Sequence, residues 1–248
     1  MIITILQRDV IWDNPVENVR RADSAIDCNP GSDLYVLPEM FSTGFCTDPE
    51  GIAECTDSQT LTWMRFKAKS TGAAIAGSIA VHEDGKYYNR FYFVTPDGNI
   101  ATYDKKHLFT FGGEHKRFSA GSERVIVTYK GFRILLEICY DLRFPVWSRN
   151  RGDFDMIIYV ASWPTPRVEA WKALLTARAI ENQCYVVGVN RVGEDPGNTY
   201  CGGSRMIDPY GKIIAACEDG KEMEATAQVD IDLLETFRAK FPVLDDAD

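Results

Sequence analysis

Residues 155–190 read DMIIYVASWPTPRVEAWKALLTARAIENQCYVVGVN. Two apolar runs, DMIIYV (155–160) and CYVVGVN (184–190), flank a helix-forming stretch from Arg167 to Gln183. Neither run alternates apolar with polar residues, so each is expected to be a strand buried on both faces. Ala170, Leu174, Ala177 and Ile180 recur at helical spacing and predict an amphipathic helix between the two strands. Strand, helix, strand in that order is the unit of a parallel sheet covered by a helix.

A second such run opens the chain. IITILQ (2–7) is followed by a helix from Asn14-Pro15 and by the strand DLYVL (33–37). Asn14 suits the N-cap, Pro15 the first helical position, and Glu17 the capping-box spacing. Val16, Val19, Ala22 and Ile26 predict that helix's buried stripe, and Leu61, Met64 and Ala68 mark another near 59–70. Between the two runs lie segments of antiparallel character. AAIAGSIAVH (73–82) turns at Asp84-Gly85 into YYNRFYFVT (87–95), which turns at Pro96-Asp97-Gly98 into NIATY (99–103). RVIVTY (124–129) and FRILLEIC (132–139) flank Lys130-Gly131. GSRMID (203–208) and KIIAAC (212–217) form a further hairpin, followed by EATAQVDI (224–231) and a last helix from Asp232 to Lys240. A short helix is expected from Phe144 to Arg151, starting at Pro145. Strands outnumber helices, which predicts an α/β fold of two mixed sheets face to face with helices outside. No repeat or linker divides the chain, so residues 1–248 are expected to form a single domain.

Composition narrows the function classes. Of the 248 residues 45% are hydrophobic and 25% charged, which excludes bulk disorder. Lys and Arg number 27 against 36 Asp and Glu, a net charge of −9, so the basic footprint of a nucleic-acid binder is lacking. No apolar run reaches the roughly 18 residues of a membrane span. MIITILQRDVIW has no basic n-region or cleavage site, so a cytoplasmic location is expected. The seven cysteines are widely spaced without a C-x-x-C pair, and three histidines are too few for a metal cluster. Free thiols in a reducing compartment are expected.

Four segments place ionisable residues at strand ends. In LPEMFSTGF (37–45), Glu39 reads either as a solvated strand-end acid or as a desolvated general base. In YDKKHLF (103–109), Lys105 and Lys106 point to opposite sides of an extended chain, so one can face a pocket while the other is solvated. In GGEHKRFSAG (112–121), Glu114 is a second acid in a glycine-rich loop, functional or merely exposed. In LLEICYDLRFP (135–145), Cys139 ends an apolar strand as either a core thiol or a nucleophile presented at a turn with a backbone N–H nearby. Glu137, two residues earlier, is expected on the same face as Cys139 by strand alternation.

Together PEMF with Glu39, YDKKHLF with Lys105 and CYDLRFP with Cys139 resemble, in order and context, the Glu–Lys–Cys pattern of the nitrilase (carbon–nitrogen hydrolase) superfamily. The longer blocks CYDLRFPVWSRNR and LLTARAIENQCYVVGVNRVG are similar to its bacterial ω-amidase branch. The resemblance implies a four-layer α-β-β-α sandwich, commonly a homodimer, needing no metal or organic cofactor. It implies that Cys139 attacks an amide carbonyl to form a thioester, and that Glu39 moves the protons. Lys105 and the Tyr140 N–H would stabilise the oxyanion, and Glu114 would orient the substrate or the lysine. A lysine beside Cys139 would also lower the thiol pKa.

The implied substrate is the terminal amide of a small 2-oxo dicarboxylic acid monoamide, α-ketoglutaramate or α-ketosuccinamate. Its carboxylate needs a cation, for which Arg143 and Arg167 stand as candidates or as structural ion-pair partners. Trp163 lies near the presumed pocket, in an SWP segment where the family commonly carries Asn at the position of Ser162. Other amidases, carbamoylases and nitrilases share this chemistry. A Cys–His hydrolase using His107 or His115 and a non-catalytic scaffold are the readings of a different class.

Overall fold

A computed structural model of the chain describes residues 1–246; the last two residues of the expected domain lie outside the described residues. The N-terminal half runs β1 (Ile2–Gln7), α1 (Pro15–Cys28), β2 (Leu34–Val36), β3 (Glu54–Cys55), α2 (Gln59–Thr71), β4 (Ala74–Glu83), β5 (Lys86–Val94) and β6 (Ile100–Asp104). Next come β7 (Ile126–Tyr129), β8 (Phe132–Ile138), β9 (Met156–Ala161), α3 (Val168–Glu181) and β10 (Tyr185–Asn190). The chain finishes with β11 (Val192–Glu194), β12 (Thr199–Cys201), β13 (Arg205–Ile207), β14 (Ile213–Ala216), β15 (Met223–Gln228) and α4 (Ile231–Lys240).

One sheet has the order β15-β1-β2-β4-β5-β6, with β3 against the far part of β4; the other has β14-β13-β10-β9-β8-β7. Each contains a parallel centre, β1-β2-β4 in the first and β8-β9-β10 in the second. Hairpins continue both sheets outward. The turns Asp84-Gly85 and Lys130-Gly131 have positive φ at both residues, as two-residue hairpins with a right-handed strand twist require.

Three apolar layers follow from strand alternation. Ile3, Ile5, Val36, Phe91 and Phe93 of the first sheet meet Ile134, Leu136, Ile158 and Val187 of the second in a core between the sheets. Leu6, Tyr35, Ile75 and Val94 point the other way, onto α1 and α2. Leu135, Ile157, Tyr159 and Val186 point onto α3. The layers are therefore helix, sheet, sheet, helix. No helix among the described residues is long and apolar enough to cross a membrane.

Three local expectations change. The face of α3 that is buried is Trp171, Leu175, Arg178 and Ala179, whereas Ile180 is 52% exposed. Gly188 on β10 selects that face, because a Cβ there would lie 3.0 Å from Trp171 Cζ2 and overlap Leu175. The α1 stripe also shifts, to Asn18, Ala22, Ala25 and Ile26, leaving Val16 exposed. The short helix expected over Phe144–Arg151 is absent. A 3-10 turn stands just before it, at Cys139–Arg143, and Phe144 leaves helical geometry at φ −116° and ψ 85° because the following Pro145 disfavours it there.

Candidate active site

The C-terminal ends of β2, β6, β8 and β9 meet on one side of the sandwich, and the four deliver Glu39, Lys105, Cys139 and Ser162. Open α/β sheets place ligands at this end of their strands. Glu39, Lys105 and Glu114 are each wholly buried. Lys105 Nζ donates to Glu39 Oε1 at 2.9 Å and to Glu114 Oε1 and Oε2 at 3.1 and 2.9 Å. The second Glu39 oxygen accepts from the Ser162 N–H at 2.8 Å, and Glu114 Oε2 accepts from the Phe109 N–H at 2.6 Å. Asn89 Nδ2 reaches Glu39 Oε1 at 2.7 Å and Glu114 Oε1 at 3.2 Å. Lys106 turns outward, its ammonium 5.3 Å from the centre of the Trp147 ring.

These contacts set the charge states. Burial disfavours the Lys105 ammonium, but Glu114 and Glu39 more than offset it and raise its pKa. The Glu114 carboxyl is raised, chiefly by burial and further by the Glu39 charge, against the pull of Lys105. The cluster is a lysine held cationic between two acids, with water excluded.

Cys139 is half-buried and stands at φ +47°, in the left-handed region. The turn that presents it is built around Asp141, also wholly buried. Asp141 accepts from the Ile138 N–H at 3.0 Å, the Tyr103 hydroxyl at 2.7 Å and the His107 N–H at 2.9 Å. Burial first, and then the Glu39 charge, push the Cys139 thiol well above its ordinary value; Lys105 acts in the opposite direction and loses. The lysine does pull the thiol pKa down as expected, but burial and the Glu39 charge outweigh it. Two carboxylates already share the Lys105 charge, so the surroundings favour the protonated thiol, which needs a base.

Neither His107 nor His115 lines the cavity on which Cys139 opens. His107 Nδ1 lies 2.8 Å from Asp141 Oδ1, with its ring stacked on Phe144 at 3.9 Å. His115 is exposed in the loop beyond Glu114. Neither fits the base of a Cys–His pair.

Cys139 and Lys105 open onto a cavity of about 340 Å³, walled largely by Phe45, Phe109, Phe111, Tyr140, Trp163 and Tyr200. Tyr140 packs edge-on to Phe109 and Phe144 at 5.2 and 5.1 Å. Trp163 is fixed by its N–H to Asn190 Oδ1 at 2.7 Å and its indole N–H to the Arg167 carbonyl at 2.8 Å. Arg143 and Arg167 also line the cavity, their guanidinium carbons 5.0 Å over Trp163 and 5.4 Å over Phe109. Neither forms an ion pair with a carboxylate among the described residues, so structural pairing does not account for them.

Sequence reading missed Asn89. Its signal was present: in YYNRFYFV, Asn89 alternates with Phe91 and Phe93 and so places an amide on the core face. Asp141 stood in the quoted motif, but its role in holding the turn needed the tertiary contacts.

The sequence model of the carbon–nitrogen hydrolase family matches residues 4–239. The chain is 46% identical over 247 residues to an Escherichia coli K12 protein named omega-amidase YafV, covering 99% of this chain and 96% of that one. It is 38% identical over 252 residues to the 2-oxoglutaramate amidase of Bacillus subtilis, covering 98% and 96%. The crystal structure of XC1258 from Xanthomonas campestris, a CN-hydrolase superfamily protein with an arsenic adduct in the active site, superposes with a TM-score of 0.97. It shares 42% identity with this chain, and the match covers 100% of this chain and 97% of that one. On the family match, the near-complete coverage at this identity and the shared fold, the chain belongs to the carbon–nitrogen hydrolase family.

Proposed function

We propose that the protein is an amidohydrolase that cleaves the terminal amide of a small 2-oxo dicarboxylic acid monoamide, such as 2-oxoglutaramate, to the acid and ammonia. The observation that carries this reading is the Cys139 thiol beside the buried Glu39–Lys105–Glu114 cluster at an aromatic cavity. Glu39 takes the thiol proton as Cys139 sulfur bonds to the amide carbon. The carbonyl oxygen becomes an oxyanion, stabilised by the Lys105 ammonium and the Tyr140 N–H. The C–N bond then breaks, Glu39 returns the proton to the leaving nitrogen, and ammonia departs from a thioester. Glu39 next draws a proton from water as the water oxygen attacks the thioester. Collapse releases the acid and restores the thiol. Glu114 keeps Lys105 in place throughout.

The two arginines without carboxylate partners supply the substrate class. A planar guanidinium suits the carboxylate of a 2-oxo acid, and the aromatic faces behind Arg143 and Arg167 hold those groups in the cavity. The names of the relatives in Escherichia coli and Bacillus subtilis support the same substrate. We infer a cytosolic homodimer as well. All seven cysteines are free thiols, which suits a reducing compartment, and the outward face of α3 carries Ala173, Ala177 and Ile180 as a contact surface.

The test is ammonia release from 2-oxoglutaramate by the purified protein. Cys139→Ala and Glu39→Gln are each expected to lower kcat by about a thousandfold or more. Arg143→Ala is expected to raise KM about tenfold or more with a smaller effect on kcat. No release by the wild type, with Cys139 still alkylated by iodoacetamide, would overturn the substrate and send the search to other amides and nitriles.

A further inference from the structure

Asn89 is wholly buried on β5, and among the described residues its side chain is the only amide that touches both acids of the cluster. The oxygens it reaches are also those that Lys105 Nζ contacts at 2.9 and 3.1 Å. Ionised carboxylates only accept hydrogen bonds, so the amide nitrogen must be the end that faces them. Its two protons match two acceptors. Oδ1 is left in the interior without a partner among the described residues, a cost that this orientation imposes. The same residue also holds the lysine's strand end, since the Asn89 carbonyl accepts from the Lys105 N–H at 3.0 Å. Its backbone is itself paired with Ala80 in β4, so the bridge stands on the sheet.

Two acids here share one ammonium in a site buried from solvent. During the reaction that ammonium must also serve the oxyanion. A neutral donor that stays on both acids offsets the diversion. We propose that Asn89 is a positioning residue, its amide bridging Glu39 and Glu114 and keeping Glu39 ionised as the base for Cys139 while Lys105 attends to the oxyanion. The inference rests on the proposed role of Glu39. The titratable groups that face the bridged acids are Lys105 and Cys139, with Tyr200 from β12 near Glu39 and Cys46 near Glu114.

The test avoids any assumption about the amide. Cys139 labelling by iodoacetamide is followed by peptide mapping across pH in wild type, Asn89→Leu and Glu39→Gln. Asn89→Leu keeps the branched shape and removes both donors, so the acid limb of the labelling profile should move up by about one pH unit. A merely structural role would slow labelling at every pH and leave the limb in place, and that result would overturn the proposal. Glu39→Gln should flatten the limb; a wild-type limb in that variant would instead sink the general-base reading, and the proposal with it. If circular dichroism shows Asn89→Leu unfolded, Asn89→Ser is read in the same way, because its short hydroxyl cannot span both acids.

Discussion

Glu137 and Cys139 show how much one backbone angle decides. Strand alternation puts both on one face, yet they serve different layers. Cys139 leaves the β region at φ +47°, so alternation stops at Ile138 and the thiol turns to the cavity. Left-handed geometry at a non-glycine residue costs about 1–2 kcal/mol, and such strain gathers where function demands it. Glu137 points instead with Leu135 toward α3, and both of its oxygens are buried without a hydrogen-bond partner among the described residues. Burial, then the Asp141 charge, raise its carboxyl well above the ordinary value, while Arg124 and Arg178 oppose them without prevailing. An acid raised in the folded state favours unfolding once the pH exceeds its unfolded pKa of about 4.3. Glu137→Gln should therefore raise Tm at pH 8 relative to wild type, with the gap closing toward pH 4. Thermal melts at the two pH values check this; a lower Tm for the variant at pH 8 would mean that the arginines hold Glu137 ionised.

At the scale of elements, α3 was legible as a helix and illegible in its rotation. Its sequence is apolar around much of the circumference, so periodicity alone offers competing stripes. The choice falls to β10, where Gly188 leaves the hollow that Trp171 and Leu175 fill. The Trp171 indole N–H also finds the Gly203 carbonyl at 3.0 Å, which locks the same rotation. Leu175→Ala should cost about 2–5 kcal/mol, whereas Ile180→Ala should change the stability of a single protomer by about 0.5 kcal/mol or less. Urea unfolding of the two variants measures both; equal losses would count against this packing. The hairpins were easier to read, because Asp84-Gly85 and Lys130-Gly131 carry their turn geometry in two residues.

Across the whole molecule, one buried carboxylate shared by two arginines fastens α4 to the second sheet. Asp155 accepts from Arg133 Nη2 at 2.7 Å and Arg238 Nη1 at 2.8 Å, and Arg238 reaches the Phe154 carbonyl at 2.9 Å. Burial alone would raise the Asp155 pKa, but the bonds from Arg133 and Arg238 outweigh it and lower the value. A depressed carboxylate contributes its stability in full above its unfolded pKa of about 3.9 and loses it as the pH falls through the folded value. Stability should fall below about pH 4, and Asp155→Asn should lower Tm at pH 7 while flattening that acid fall. Amide exchange over residues 231–240 should quicken in the variant at pH 7; unchanged exchange there would separate Asp155 from the docking of α4. By itself the sequence determined the strand–helix–strand units, the hairpin turns and the three motif contexts, because apolar periodicity and turn chemistry act over neighbouring residues. Only the tertiary structure decided the rotation of α3, the unpaired arginines of the cavity, the charge state of the thiol and the bridge at Asn89. Each of those depends on which groups, distant along the chain, share a volume from which water is excluded.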